Sequence, residues 1–128
     1  MLWYVMFGSA VGGGSRFLLG SFIQTRSGAA FPIGTLVINI TGSLVLAFIF
    51  RYAAGSSVSP EVRAMLTTGF CGGYTTFSTF SWETVRLIED GDYVRASWYI
   101  GLSVLLSLAG AFIGIGLARE LLDLRRRI

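Results

Sequence analysis

The sequence contains no histidine, no lysine and only one cysteine, Cys71. The missing histidines remove the side chain that most often serves as a general acid–base group and as a transition-metal ligand. A single cysteine cannot form a disulfide within the chain. Charged residues make up 13% of the sequence, well below the roughly 25% of soluble domains. These absences argue against a histidine-dependent enzyme, a transition-metal site and a soluble domain.

Apolar side chains are abundant, at 53% of residues and a mean hydropathy of +0.68. About 20 residues of low charge are needed for a helix to cross the ~30 Å hydrocarbon core of a bilayer. Four stretches have this length and composition, near residues 2–23, 33–54, 62–86 and 95–119. The N-terminus has no basic region and its first span is too long for a signal-peptide core, so we expect no cleaved leader. The sequence predicts an all-α integral membrane protein, with one four-helix domain over residues 1–128.

The arginines give the four predicted spans only a weak orientation. Six arginines lie on the side of the two chain termini and three on the opposite side, which mildly favours termini in the cytoplasm. Three of the six are Arg125, Arg126 and Arg127. This basic end is typical of an anchor on membrane lipid, and it is too small a basic face to predict nucleic-acid binding. The rest of the chain is balanced at three against three, so we expect it to be able to insert in both orientations.

The first span combines small residues with a charge. Gly8 and Gly12 have the small-xxx-small spacing that brings a second helix into close contact, and Gly110 and Gly114 repeat this spacing in the fourth span. Arg16 lies in the first span, where a charge is costly unless it reaches water, a carbonyl or an anion. Two interpretations of Arg16 stay open: its side chain extends to the membrane interface, or it contributes positive potential to an anion vestibule.

Neutral polar residues form a stripe on each of two predicted spans. The second and fourth spans carry them at four-residue intervals: Thr35, Asn39 and Ser43, then Tyr99, Ser103 and Ser107. Residues at this spacing share one face of a helix. Asn39 either bonds to a neighbouring helix or lines a hydrated path. The serines either bond the carbonyl four residues earlier in their own helix or line that path as well.

The third span contains the sequence TTGFCGGYTTFSTFSWE at residues 67–83. Gly72–Gly73 lies near the middle of the span, and adjacent glycines favour a kink or an unwound turn. Thr75 or Thr76 could cap a second half-helix. Backbone groups freed at membrane depth must be satisfied by protein, water or an ion. We therefore predict a third helix broken at the bilayer midplane, with carbonyls and a helix N-terminus forming an ion site.

Two phenylalanines follow the predicted break at helical spacing. Phe77 and Phe80 are three residues apart, with Ser78 and Thr79 between them. An aromatic ring has a positive edge, so ring edges beside hydroxyl donors could coordinate a small hard anion without a fixed charge. The alternative is that both rings face lipid or pack against a helix.

The run GFCGGYTTFSTFSWE resembles the signature of the Fluc (CrcB-type) fluoride channel family. GGGSRF in the first span, GTLVINITGS at the start of the second and SVLLSLAG in the fourth are similar to that family in order and spacing. The resemblance covers nearly the whole chain. Tyr74, where a leucine or phenylalanine is common, and the arginine-rich C-terminus depart from the pattern but leave the core motif intact.

The resemblance implies a passive fluoride channel, and not an enzyme, that exports cytoplasmic fluoride and relieves its toxicity. It implies an antiparallel, dual-topology homodimer with two fluoride pathways, multi-pass in a bacterial or archaeal cytoplasmic (inner) membrane. It also implies a structural sodium ion at the dimer centre, held by the backbone carbonyls of Gly72 and Thr75. The remaining roles follow by motif position: Asn39, Phe77 and Phe80 as pore residues, Ser103 and Ser107 as hydroxyl donors, Ser78, Thr79 and Tyr99 along a polar path, and Arg16 near an aqueous vestibule.

Two other functions remain as alternatives. A small proton-coupled exporter would need a membrane-embedded acid, typically a glutamate in the first helix, and the first span has no acid. A non-conducting subunit of a larger membrane complex would move no ions when purified alone. An enzyme is a more distant alternative, because the seven acidic residues all lie near predicted helix ends or loops and no nucleophile–base pair is visible.

Overall fold

The computed structural model describes all 128 residues, and every regular element in it is a helix. The elements, in chain order, are α1 (Leu2–Ser27), α2 (Ile33–Ala54), α3 (Pro60–Ala64), a π-helical segment (Met65–Cys71), α4 (Gly72–Tyr74), α5 (Phe77–Glu89) and α6 (Tyr93–Arg127). Residues 60–74, from α3 through α4, form what we call the first half-helix, and α5 is the second half-helix. The all-α class predicted from the sequence is confirmed.

Local sequence signals account for several helix ends. The first half-helix begins directly after Ser59, whose side chain accepts a hydrogen bond from the Val62 amide at 3.3 Å. Asp92 caps α6 in the same way, accepting from the Arg95 amide at 3.1 Å. Helix α1 ends at Gly28, which has a φ of 59°, a left-handed conformation that glycine adopts without strain. Short connections follow these ends, and consecutive long helices therefore run antiparallel.

Glycines set the distance between neighbouring helices. A Cβ atom on Gly12 would collide with the carbonyl oxygen of Phe70 in the π-helical segment. A Cβ atom on Gly114 of α6 would collide with the carbonyl oxygen of Leu44 on α2. The close contacts predicted from the small-xxx-small spacing are therefore confirmed. They lie within the chain, so these glycine faces are already occupied and are not free for a partner.

The long helices expose large apolar surfaces. Helices α2 and α6 are each long and apolar enough to cross a membrane, with a mean hydropathy of 2.2 over 18 residues. Only 22% and 17% of those stretches are buried, whereas a core helix of a soluble protein is mostly buried. Phe17, Trp98 and Phe112 are 72%, 62% and 75% exposed. Exposed apolar surface of this extent is suited to contact with lipid or with another protein chain.

The helices differ from the sequence prediction in their extent and in the position of the break. Helices α1 and α6 continue beyond the predicted spans, to Ser27 and Arg127. The third helix is broken at Thr75–Thr76, and not at Gly72–Gly73. Gly72 itself has helical angles, φ −64° and ψ −38°. A Cβ atom on Gly73 would lie 2.6 Å from the carbonyl oxygen of Ser9 in α1, so this glycine permits close helix packing and does not unwind the chain.

Replacement of Gly12 by alanine should destabilise the protein, because the added methyl group meets backbone atoms that cannot swing away. Overpacking of this kind typically costs about 1–3 kcal/mol, so the unfolding midpoint of the purified protein in detergent should fall by several degrees. Gly14 is the matched control on the same helix, since a Cβ atom there meets nothing within 4 Å and alanine favours the helix. Equal midpoints for G12A and G14A would contradict the close contact.

Candidate functional site

The candidate site is built around the break between the two half-helices. Thr75 and Thr76 have extended backbone angles, with φ −83° and ψ 158° at Thr75 and φ −152° and ψ 114° at Thr76. The Thr76 hydroxyl accepts a hydrogen bond from the Thr79 amide at 3.1 Å. Thr76 is therefore the N-cap of α5, which confirms the prediction that one of these two threonines caps the second half-helix.

Asn39 on α2 bonds both backbone groups of Thr76. Its Oδ1 accepts from the Thr76 amide at 2.8 Å, and its Nδ2 donates to the Thr76 carbonyl at 3.0 Å. This pair of bonds satisfies a residue that is buried and outside any helix, where an unpaired amide or carbonyl is costly. Two interpretations of Asn39 were open, and these bonds show the first of them: Asn39 bonds the neighbouring third helix, at its break. The role of Asn39 on a hydrated path stays a prediction. The second Nδ2 proton has no protein partner.

The break leaves several backbone carbonyls without their helical partners, among them those of Gly72 and Thr75. In a continuous helix the Gly72 carbonyl would accept from the amide of Thr76, but that amide bonds Asn39. The Thr75 carbonyl would accept from the amide of Thr79, but that amide bonds the Thr76 hydroxyl. Gly72 is exposed on the surface of the chain. Free carbonyl oxygens are suitable ligands for a hard cation, so the residues present fit the sodium ion that the family resemblance implies.

The half-helices meet the break with opposite electrostatic ends. The first half-helix ends there with its carbonyls, and α5 begins there with its amides. A helix carries partial negative charge at its C-terminus and partial positive charge at its N-terminus. A cation is therefore favoured on the side of Gly72, and an anion is favoured beside the first turn of α5.

Three aromatic rings run in contact from the first turn of α5 to the interior. The centroids of Phe77 and Phe80 are 5.5 Å apart, and those of Phe80 and Tyr99 are 5.1 Å apart. Both pairs are tilted, at 47° and 56°. Phe77 is 78% exposed and Tyr99 is fully buried, so the rings connect the outer surface of the chain to its core.

Hydroxyl groups gather beside the same turn of α5. The Thr76 hydroxyl lies 3.2 Å from the Ser78 hydroxyl and 3.1 Å from the Thr79 hydroxyl. Because hydroxyl hydrogens rotate, the O–H groups of this cluster can turn to donate hydrogen bonds to a bound anion. Ser78 and Thr79 are thus close to the break, as the sequence analysis expected of residues along a polar path.

Two polar atoms on α6 are buried without any partner. The Tyr99 hydroxyl and the Ser103 hydroxyl make no hydrogen bond in the structure. Ser43 does donate to the carbonyl of Asn39 in its own helix, at 2.8 Å. Ser103 therefore does not follow the alternative in which a serine bonds its own helix. A buried unsatisfied donor is costly. The Ser103 hydroxyl is therefore available to a ligand, whereas the Tyr99 hydroxyl lies next to Glu83 and Thr35.

An open cavity of about 840 Å³ leads to the break from one end of the helices. Arg16 is half-buried and lines this cavity, together with Arg86, Glu83 and Asp90. Thr76 lies on the same wall. The cavity gives the Arg16 side chain the hydrated surroundings that a charge in an apolar span requires.

Glu83 is a site residue that the sequence analysis missed. It lies half-buried in the middle of α5, where its Oε1 accepts a hydrogen bond from the Thr35 hydroxyl of α2. From the sequence, Glu83 is expected near the end of the third span, together with the other acids at helix ends. The spacing in the sequence could have indicated this position. Glu83 follows Phe80 by three residues and Thr79 by four, so it shares a helical face with both of them.

Several of the predicted site residues come together at the break, and Ser107 does not. Ser107 lies further along α6, in an apolar groove of about 440 Å³ that it shares with Ser43, Phe50 and Leu108. Neither the break nor the open cavity includes Ser107. The roles in ion passage assigned to all of these residues stay predictions.

Replacement of Thr76 by alanine should weaken the start of α5, because the Thr79 amide would lose its acceptor. Loss of an N-cap costs about 1 kcal/mol, so the unfolding midpoint in detergent should fall. Serine keeps the hydroxyl, and T76S is therefore the matched control. If T76A unfolds at the same temperature as T76S, the Thr76 hydroxyl does not support the second half-helix.

Comparison with known proteins agrees with the motif resemblance. Residues 3–115 match the family described as CrcB-like protein, Camphor Resistance (CrcB). A protein of Syntrophotalea carbinolica named fluoride-specific ion channel FluC is 46% identical over 119 residues, covering 92% of this chain and 97% of that protein. Proteins with the same name from Geobacter sulfurreducens and Rhizobium meliloti are 45% and 42% identical, covering 88% and 89% of this chain and 91% and 92% of their own length. The family resemblance seen in the motif is confirmed, and the chain belongs to the CrcB-like family of membrane proteins.

Proposed function

We propose that this chain is a fluoride-selective passive ion channel that exports cytoplasmic fluoride and so relieves its toxicity. The names and similarity of the relatives support a fluoride channel. The structural observation that carries the proposal is the break at Thr75–Thr76, where unpartnered carbonyls end the first half-helix and neutral donors and two phenylalanines begin the second. An arrangement of this kind favours ions of both signs without placing a charged side chain at the break.

The proposed channel is an antiparallel homodimer in the cytoplasmic (inner) membrane. Helices α1, α2 and α6 and the two half-helices together would make four crossings per chain, which their exposed apolar surfaces support. A single four-helix chain is too small to enclose a pore comfortably. The weak arginine bias is compatible with two opposite insertions. A two-fold axis in the membrane plane would bring the two breaks together and give two equivalent fluoride pathways.

A structural sodium ion at the dimer centre is part of the proposal. The carbonyl oxygens of Gly72 and Thr75 would hold it, and the bonds that take away their helical donors support this role. When bound, sodium would supply a fixed positive charge that favours anions nearby. The exposed position of Gly72 is compatible with a site shared by two chains.

Fluoride passage requires donors that replace the water around the ion. The free Nδ2 proton of Asn39 and the unpartnered hydroxyls of Tyr99 and Ser103 are candidates on α2 and α6. On α5, Phe77 and Phe80 pack against each other, and the Ser78 and Thr79 hydroxyls lie in the same turn as further candidate donors. Conduction needs sites that an ion can leave, and neutral donors hold a small anion less tightly than a buried arginine would.

Arg16 would act before the neutral donors are reached. It lines the open cavity that leads to Thr76 and Thr79, so its charge would raise the local concentration of anions. Ser107 lies in the groove between α2 and α6 and would donate farther along the path. The roles of Arg16 and Ser107 follow from their positions relative to the proposed fluoride path.

Fluoride efflux from liposomes that contain only the purified protein tests the proposed function. A potassium ionophore balances charge, and fluoride and chloride release are measured in parallel, with protein-free liposomes as the control. We expect rapid fluoride loss with little chloride loss. Release that requires a proton gradient would indicate the coupled exporter instead, and no release of either ion would indicate a non-conducting subunit.

Substitution of Phe80 by isoleucine should lower fluoride efflux roughly five- to tenfold, because it removes an aromatic edge worth about 1 kcal/mol while keeping an apolar side chain. Phe112 is the matched control, since it is 75% exposed on α6 and lies outside the site. Both variants are compared with the parent protein in the same liposome assay. Normal efflux through F80I would exclude a ring-edge role for Phe80.

A further inference from the structure

The backbone of Thr76 is held by a side chain from another helix. Asn39 bonds its amide at 2.8 Å and its carbonyl at 3.0 Å. Hydrogen bonds to both groups of one residue resemble the pairing of two extended strands, and Thr76 is correspondingly extended, with φ −152° and ψ 114°. Asn39 therefore stabilises the extended conformation of the break itself.

Asn39 and the Gly72 carbonyl compete for the same donor. The Thr76 amide is the group that would close the next helical hydrogen bond on Gly72, four residues earlier. The preceding amide, that of Thr75, does make its helical bond, to the Cys71 carbonyl at 2.9 Å. The helix thus continues normally up to the one amide that Asn39 removes from it.

The second candidate carbonyl depends on the same residue. Thr79 would donate to Thr75 in a continuous helix, but its amide bonds the Thr76 hydroxyl at 3.1 Å. This bond needs Thr76 in its N-cap conformation, which Asn39 stabilises through the backbone. Loss of the Asn39 bonds would allow the first half-helix to extend and to close both carbonyls.

We propose that Asn39 is a positioning residue for the cation site: by bonding Thr76, it keeps the carbonyls of Gly72 and Thr75 open. This inference rests on the proposed function, because it presupposes the sodium ion between the two chains. It assigns Asn39 a second role, separate from the pore role that the motif predicts. The acceptor oxygen, Oδ1, carries the positioning role, and the donor nitrogen, Nδ2, is the group that also faces a passing anion.

Two substitutions of Asn39 separate these roles. Leucine has nearly the shape of asparagine but can neither accept from the Thr76 amide nor donate to its carbonyl. Aspartate keeps an oxygen that can accept from the Thr76 amide, but it cannot donate to the Thr76 carbonyl, and it adds a negative charge near the fluoride path. Ser43→Ala is the matched control on α2, because the Ser43 hydroxyl bonds only the carbonyl of residue 39 in its own helix.

The measurement is thermal unfolding of the purified protein in detergent over a series of NaCl concentrations, with choline chloride keeping ionic strength constant. A ligand that binds only the folded state raises the unfolding midpoint with its concentration. We expect sodium to raise the midpoint of the parent protein and of S43A equally. In N39L, the sodium concentration that gives half of the effect should rise at least tenfold, whereas in N39D it should stay near the parent value.

Fluoride efflux of the same proteins is measured alongside. N39D should conduct fluoride poorly because of its charge and yet keep its sodium response, which separates the pore role from the positioning role. A parent-like sodium response in N39L overturns the inference. If N39L does not fold, N39A, which also lacks both hydrogen bonds to Thr76, decides the matter: a sodium requirement raised at least tenfold supports the inference, and a parent-like requirement overturns it. A parent protein that conducts fluoride but ignores sodium would remove the sodium site, and this inference with it, while leaving the channel function in place.

Discussion

The rest of the structure depends on two hydrogen bonds between Asn39 and the backbone of Thr76. A helix that stops between apolar surfaces leaves amides and carbonyls without partners, and each unsatisfied group costs free energy. The chain satisfies both backbone groups of the buried Thr76 and leaves other groups at the break open. Thr76 receives a side chain from α2 and caps α5 with its own hydroxyl. The carbonyls of Gly72 and Thr75 are among the groups left open, and they are the ligands that we propose for the sodium ion.

The Asn39 bonds require accurate packing, and the glycines provide it. Gly12 and Gly73 bring α1 against the first half-helix so closely that a methyl group would collide with backbone atoms. Gly114 brings α6 against α2 in the same way. The first contact fixes the end of the half-helix at the break, and the second fixes the helix that carries Tyr99 and Ser103. Small residues in a membrane protein thus position polar groups, although they contribute no polar group themselves.

The sequence predicts those features of this site that depend on local chemistry. A threonine after the glycine pair caps α5, and the spacing of Gly8, Gly12, Gly110 and Gly114 produces close contacts, because both effects follow from neighbours along the chain. The position of the break was wrong by a few residues, since Asn39, far away in the sequence, decides which amide leaves the helix. The pairing of Glu83 with Thr35 was missed for the same reason, because the partner lies on another helix.

Charged and neutral groups are separated along the proposed path, and the same energetic constraint explains why. Charged side chains line the open cavity, where water lowers the cost of a charge. At the break, the hydrogen bonds are made by amides and hydroxyls. A charged residue there would either trap an anion or repel it, whereas a neutral donor lets the ion leave. An amide has both a donor and an acceptor and adds no charge. Asn39 can therefore support a broken backbone with one part of its side chain and keep a free N–H for a passing ion.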